Sequence, residues 1–395
     1  MDKRMAAWGA GVLLTGMCVA SFGHADELRA RPASDKVTLL RVPKGGIQPQ
    51  TAVDAKGTVH LIYFAGEPRG GDIFYVRSSD GKNFSKPLRV NSQAGSAIAI
   101  GTIRGAHLAV GKGGRVHVAW MGADKAEPRG PSKSAPMLYA RLNEKGNAFE
   151  PQRNVIQKAH GLDGGGSVAA DDEGNVYVAW HASEPGTRGE ENRHVWVARS
   201  TDEGESFSRE EKANTDSTGV CGCCGMRAFA DRKGKLHILY RSAKEVVHRD
   251  MYLLASTDKG EKFKGEKIHP WEVGTCPMSS MFLAEAASGT VATWETDGQV
   301  YFAPIERDTG KLAAPVAAPG TGKDRKHSVV ACGPSGETLM VWTEGTGWNR
   351  GGAVAWQMFG KDGKPTSEKG RADGVPKWSL VASYIRPDGG WTILY

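Results

Sequence analysis

Short apolar runs recur along the chain at nearly constant spacing, each split by a polar turn. They read TAVDAKGTVHLIYF, LAVGKGGRVHVAW, SVAADDEGNVYVAW, AFADRKGKLHILY, FLAEAASGTVATW, VVACGPSGETLMVW and VASYIRPDGGWTILY. In each, a strand of small apolar residues leads through a polar turn to a glycine, and a second apolar strand follows that carries an aromatic near its end. The glycines are Gly57, Gly114, Gly174, Gly234, Gly289, Gly336 and Gly389, separated by 57, 60, 60, 55, 47 and 53 residues. Each stands where a tight hairpin needs a positive φ. A second strand pair follows within the unit, as in DIFYVRSSDGKNFSKPLRV, HVWVARSTDEGESFSRE and MYLLASTDKGEKFKG. An all-β pattern with this period predicts a β-propeller of seven four-stranded blades. The last copy runs out at Tyr395 after two strands, so the N-terminal segment Val37 to Val42 is expected to add an outer strand to that blade and close the ring.

The start of the chain reads differently. Lys3 and Arg4 precede an apolar run, and Gly23-His24-Ala25 forms a small-x-Ala cleavage site before Asp26. Residues 1–25 are therefore expected to be a secretory signal peptide, and residues 26–395 a single propeller domain. Cys18 lies inside the apolar run, but Met17 before it is not the small residue that a lipoprotein site requires. No later segment is apolar enough to span a membrane, and the expected location is periplasmic or secreted, where disulfides persist. The composition agrees with a turn-rich all-β protein: 52 glycines and 11 tryptophans in 395 residues. Net charge is +7, and +6 without residues 1–25, where Lys3 and Arg4 stand against Asp2. The basic residues are spread along the chain, with no basic run or aromatic platform, so nucleic acid is not the expected partner. A monomer is expected.

Ser200-Thr201-Asp202-Glu203-Gly204-Glu205-Ser206-Phe207 and Ser256-Thr257-Asp258-Lys259-Gly260-Glu261-Lys262-Phe263 follow the pattern S-x-D-x-G-x-x-F, and Ser78 to Phe84 is a version one residue shorter. In these turns the chain resembles the Asp-box (BNR-repeat) propellers of the sialidase superfamily. The box itself is a structural turn whose Ser and Asp satisfy backbone donors. Sialidases have six blades, so the resemblance makes six the alternative count. It also implies an arginine triad around a substrate carboxylate, a Tyr–Glu nucleophile pair and an Asp acid/base. The first of those arginines begins an Arg-Ile-Pro motif about ten residues before the first hairpin glycine. Here Pro49 holds the proline position but Ile47 replaces the arginine, and Arg41-Val42-Pro43 falls 16 residues before Gly57, too early. Arg104 does lie ten residues before Gly114 in the second repeat.

In a propeller the glycine hairpins and the Asp boxes share one face. The loops entering each first strand, and those joining second to third strands, share the other. The entering loops are the unusual ones: GGIQPQ, GTIRGAH, GLDGGGS, CGCCGMR, CPMSS, DRKHS and VPKWS. This face is expected to hold a pocket with Arg104, His107, Arg227, Arg241, His248, Arg249, Arg325, His327 and Trp348 as substrate-binding candidates. Asp163, Asp250, Glu295 and Glu344 are the carboxylate candidates, since glycoside hydrolysis needs two carboxyl groups across the scissile bond. Each carboxylate has a simpler reading as the ion-pair partner of a nearby arginine. The expected partner is an anionic glycan or a small-molecule substrate, and the arginine-rich rim favours an anionic one, because guanidinium binds carboxylate in bidentate fashion. A sialic or uronic acid unit, a sulfated glycan, or eliminative cleavage of a uronide would all fit.

Cys221, Cys223 and Cys224 enter the fourth blade and Cys276 enters the fifth on the same face, while Cys332 reads as a buried structural thiol. Three readings stand open: disulfides, with Cys276 the more natural partner for Cys223; a soft metal ion, copper or zinc, held by Cys221, Cys223, Cys224 and Cys276 with help from Met226, Met278, His248 or His327; and thiol catalysis. The functional expectation is thus an exported sialidase-like propeller that acts on or binds an anionic carbohydrate. The competing class is a non-catalytic propeller that holds a metal, a glycan or a protein.

Overall fold

The computed structural model describes residues 31–395 except 35, 215 and 323. The expected signal peptide, residues 1–25, lies outside the described residues. Seven four-stranded sheets form the molecule, and the first strands of neighbouring sheets touch one another all the way round a closed ring. These inner strands are Ile47–Val53, His107–Val110, Ser167–Ala170, Arg227–Ala230, Met281–Ala286, Arg325–Cys332 and Ala382–Ile385. The fold is the expected seven-bladed propeller, and the six-bladed alternative falls away.

The ring closes as the sequence pattern predicts, with one refinement. Val37–Leu40 pairs with Trp391–Leu394, and Arg31–Pro32 pairs with it as the outermost strand. The first of these pairings is parallel, Val37 opposite Trp391 and Leu40 opposite Leu394. In every other blade the third strand arises by a turn from the second and runs antiparallel to it. Here the third-position strand arrives from the N-terminus and must run in the direction that leads into the first strand of the next blade.

Sheets stacked face to face bury both of their surfaces, so alternation gives way to continuous burial. The second strand of the third blade, Val176–Ser183, is buried at all of its positions. Seven apolar clusters fill the seven blade interfaces, one in each. The aromatics near the ends of the second strands are the wedges between blades: Phe64, Trp120, Trp180, Tyr240, Trp294, Trp342 and Tyr395 are all buried. All seven hairpin glycines have positive φ, from 79° at Gly234 to 149° at Gly289. In three of those hairpins one carboxylate oxygen holds the turn: Asp54, Asp171 and Asp231 each accept two backbone N–H bonds. The three S-x-D turns also share one pattern. Ser200 donates to Asp202 at 2.6 Å, Gly204 N donates back to Ser200 Oγ, and Ser78 with Gly81 and Ser256 with Gly260 repeat it. Arg41 of the Arg-Val-Pro run donates to the Gly374 carbonyl and lies 3.8 Å above the Tyr395 ring. That position ties down the ring closure.

Candidate functional site

The two ends of the central tunnel differ. On the entering-loop face it narrows to a cavity of about 20 Å³, room for about one water. Backbone packed against backbone closes it. Gly165 N donates to the Ile103 carbonyl at 3.1 Å, and a Cβ on Gly165 would stand 2.3 Å from that same oxygen. A Cβ on Gly105 would meet the Gln48 side chain, and one on Gly164 would meet His181 and the Gly222 carbonyl. The glycine-rich entering loops therefore form a plug. On the glycine-hairpin face the tunnel opens as a funnel of about 1010 Å³, bordered by the hairpins of all seven blades.

Of the residues expected at one pocket, the structure brings three to the constriction: His107, Arg227 and His327. His107 Nδ1 lies 2.9 Å from Ser167 Oγ, and His327 Nδ1 lies 3.0 Å from Ser280 Oγ. Burial holds both rings well below the ordinary imidazole value, His327 at about 3. Arg227 starts the fourth inner strand and reaches across the axis. Its Nη1 donates to Gln50 Oε1 at 2.9 Å, its guanidinium stacks 4.2 Å from the Phe282 ring, and its Nε has no partner. It is 6% exposed and forms no ion pair among the described residues, and burial alone pulls it down to about 10.

The other candidates lie outside the tunnel, mostly in pairs. Arg104 holds Asp163 at 2.8 Å, with Arg193 4.0 Å from the other carboxylate oxygen. Glu344 lies between Arg325 at 3.5 Å and Arg371 at 3.2 Å and also accepts from Trp342 Nε1. Asp250 accepts from the Trp271 N–H and faces Lys267 at 3.4 Å. Arg249 is paired with Glu190 at 2.7 Å. Arg241, fully buried, donates to Ser279 Oγ and to the carbonyls of Arg249 and Glu295. The Glu295 carboxyl is buried beside it and is pushed up by that burial, which Arg241 partly offsets. His248 sits between Glu245 and Glu272 at 3.6 and 3.5 Å, and Trp348 is exposed beside Arg104.

The cysteines form a compact group on this face. Cys223 is joined to Cys276 by a disulfide, while Cys221 and Cys224 are buried free thiols. Cys221 Sγ lies 3.4 Å from Cys223 Sγ and 3.1 Å from Cys224 Sγ. The sulfurs of Cys221, Cys223 and Cys224 all lie within 4.8 Å of one another, a spacing from which a metal ion could be held, although Cys223 is engaged in the disulfide. The buried pair is polarised. Cys224 is drawn below the ordinary thiol value: its burial opposes this, but the hydrogen bond from Cys221 and the nearby Arg241 charge prevail. Cys221 is raised by that same hydrogen bond and by its burial. Cys332 is a free thiol away from this group, pushed up by burial to about 12.

Several charged residues that line the funnel are not among the site residues expected from the sequence: Arg232, Glu285, Arg307 and Arg386. Glu285 is half-buried, held up mainly by burial, and paired with Arg307 at 2.9 Å. The available signal was positional. Glu285 stands in the fifth hairpin close to where Asp54, Asp171 and Asp231 stand in theirs.

No family model and no curated protein matches the chain. Solved structures do match its shape. A protein of unknown function from Dyadobacter fermentans aligns with a TM-score of 0.52 at 14% identity, covering 76% of this chain and 90% of that one. The alpha-L-arabinanase of Penicillium chrysogenum, solved with arabinobiose, aligns at 0.50 and 15% identity over 85% of this chain and 98% of its own. A sialidase of Trypanosoma rangeli aligns at 0.49 and 12% identity, over 87% and 57%. At these identities the likeness of the first two is one of architecture: the chain shares its fold with them.

Proposed function

We propose that this is an exported seven-bladed propeller that binds an anionic carbohydrate in the funnel on its hairpin face, with Arg227 at the floor as the anion-binding group. The observation that carries the reading is the state of that arginine. A buried guanidinium without a carboxylate is costly, and here it stands where a roomy, solvent-connected funnel meets a closed constriction. A carboxylate or sulfate on the ligand would supply the missing charge in bidentate form. Phe229 and Phe282 on the funnel wall offer apolar surface to a sugar ring, and the fold-alike arabinanase is a carbohydrate enzyme that was solved with arabinobiose. The reading is of binding rather than hydrolysis. Of the carboxylates that line the funnel, Asp54, Asp171 and Asp231 are held by backbone N–H groups of their own turns and Glu285 is paired with Arg307.

Calorimetric titration with uronic-acid and sialylated oligosaccharides against neutral ones tests this. The acidic ligands should bind, and Arg227→Gln should weaken them about ten-fold or more, the scale of a lost charge-assisted bond, leaving neutral sugars unchanged. Equal binding of neutral and acidic sugars, or an unchanged Arg227→Gln, would sink the proposal.

A second reading rests on the sulfur spacing. With Cys223–Cys276 reduced, the four cysteines would offer thiolates to a soft ion, copper(I) or zinc. Metal analysis of the protein reduced in the presence of each ion, with Cys224→Ser beside it, decides it; no bound metal in the reduced wild type rejects it.

A further inference from the structure

A structural disulfide needs nothing behind it. This one has a pair of free thiols in contact with it. Cys276 is exposed, Cys223 is half-buried, and Cys221 and Cys224 are each 1% exposed. The sulfurs are thus in contact from the surface inward: Cys276 bonded to Cys223, Cys221 at 3.4 Å from Cys223, and Cys224 at 3.1 Å from Cys221 and within 4.8 Å of Cys223. Cys221 and Cys224 are spaced as Cys-x-x-Cys, a separation at which two cysteines can close a disulfide. The loop that carries them is held on both sides. Cys221 N donates to the Arg241 carbonyl, Gly222 N to the Glu190 carboxylate, and Gly225 N to the Ser279 carbonyl. Arg241 sits beside Cys224 and Arg249 beside Cys221, and since Arg249 is paired with Glu190, the positive charge that meets a forming thiolate comes chiefly from Arg241.

We propose that these four cysteines form a thiol–disulfide exchange site, which passes its disulfide inward to Cys221 and Cys224 and presents Cys276 to disulfide-bearing substrates at the rim. The steps balance within the protein. Cys221 first passes its proton along its 3.1 Å hydrogen bond to Cys224, and the Cys221 thiolate so formed attacks Cys223 Sγ, forming the 221–223 bond. The 223–276 bond breaks, and Cys276 leaves as a thiolate that takes a proton from solvent. Cys224, losing its proton, then attacks Cys221 Sγ, forming the 221–224 bond and releasing Cys223, which takes up a proton. One disulfide and two thiols are present before and after. The freed Cys276 thiolate then attacks one sulfur of a substrate disulfide and releases the other as a thiolate. Cys223 attacks Cys276 in turn, re-forms the 223–276 bond and releases the second substrate thiol. The substrate disulfide is reduced to two thiols, and the protein is oxidised from one disulfide to two. This inference is independent of the funnel reading.

The test uses the intact mature protein without any reductant. It is treated with N-ethylmaleimide, digested, and mapped by mass spectrometry; oxidised glutathione serves as the substrate probe in a parallel assay. The exchange site is expected to give alkylated Cys276 together with a Cys221–Cys224 disulfide, and about two reduced glutathiones released per chain. In Cys221→Ser the labelling of Cys276 should slow about ten-fold or more. Cys332→Ala, distant from the group, should behave as wild type, which controls for handling and for loss of a thiol. Cys276 that stays unlabelled in the folded wild type, with Cys223–Cys276 as the only disulfide found, overturns the proposal. So does equal labelling in wild type and Cys221→Ser, and so does a metal ion that co-purifies with the thiols and blocks their labelling.

Discussion

The two faces of the ring are built from the same repeat yet do opposite things with the axis. On the hairpin face every connection between first and second strands is a short turn, such as Asp54 to Thr58 or Asp231 to Lys235. Turns this short cannot reach inward, so the funnel stays open. On the entering-loop face the chain between blades is long: residues 90–106 connect Leu88–Arg89 to His107–Val110, and residues 213–226 connect Glu211–Lys212 to Arg227–Ala230. Loops of that length cross toward the axis, and their glycines let backbone meet backbone there. The charges follow the same division. Arg104, Arg249 and Arg325 on the looped face have carboxylates, whereas Arg227 at the base of the funnel has none. Density of polar residues in the sequence therefore marked the face where most of the charges pair with one another, and the open funnel lies on the plainer one.

The most damaging way to break this contrast is to force a side chain into the plug. Gly165→Val should cost about 3 kcal/mol or more, because the new Cβ meets the Ile103 carbonyl and backbone must move; Ala55→Val on an exposed hairpin turn should stay within about 0.5 kcal/mol. Chemical denaturation of the two variants checks the pair, and equal losses would mean that the plug is not rigid.

Acid should act next in size. His117, His181 and His327 are held at about 3 and His237 at about 4, in each case chiefly by burial. Their unfolded forms take up protons near the ordinary imidazole value, about 6.5. Between the two values only the unfolded state is protonated, so this part of the stability is present above about pH 6.5 and is lost as pH falls toward 3. Each should contribute on the order of 1 kcal/mol of loss at about pH 5.5. Denaturant midpoints recorded across that range, with His181→Gln or His327→Gln flattening the slope, sharpen the comparison, since both rings lie toward the looped face.

Smaller effects separate a paired arginine from an unpaired one. Arg227→Met removes an uncompensated buried charge and should leave thermal stability unchanged or raise it by about 1 kcal/mol, while abolishing the preference for acidic ligands. Arg104→Met leaves Asp163 without its closest partner. Asp163 is half-exposed, so the loss should be only about 0.5 kcal/mol. Thermal melts of the two variants beside the wild type check the sign. A large loss at Arg227 would show that its stacking on Phe282 matters more than its charge.

Much of this was legible in residue order. Gly57 through Gly389 mark seven turns because a positive φ is a local demand that glycine meets best, and a local demand leaves a local signature. The closing strand at Val37 could be placed because a blade that stops at Tyr395 lacks a partner for its second strand. Within the disulfide reading, one of three left open, Cys276 could be named as the more natural partner for Cys223 once both were assigned to adjacent loops of one face, and the structure joins them. What residue order could not show is which charges find each other. Arg104 and Asp163 are 59 residues apart, and Arg249 and Glu190 are likewise 59 apart. Before folding, Arg227 looks the same as either arginine. The sequence by itself determined the blade, its repetition, and which face carries the unusual residues, since those depend on turn geometry and strand periodicity within a few tens of residues. Only the tertiary structure decided which face is closed, that Arg227 at the floor of the funnel is left without a counter-charge, and that two free thiols lie against a disulfide, because these are matters of a few ångströms between segments brought together by closing the ring.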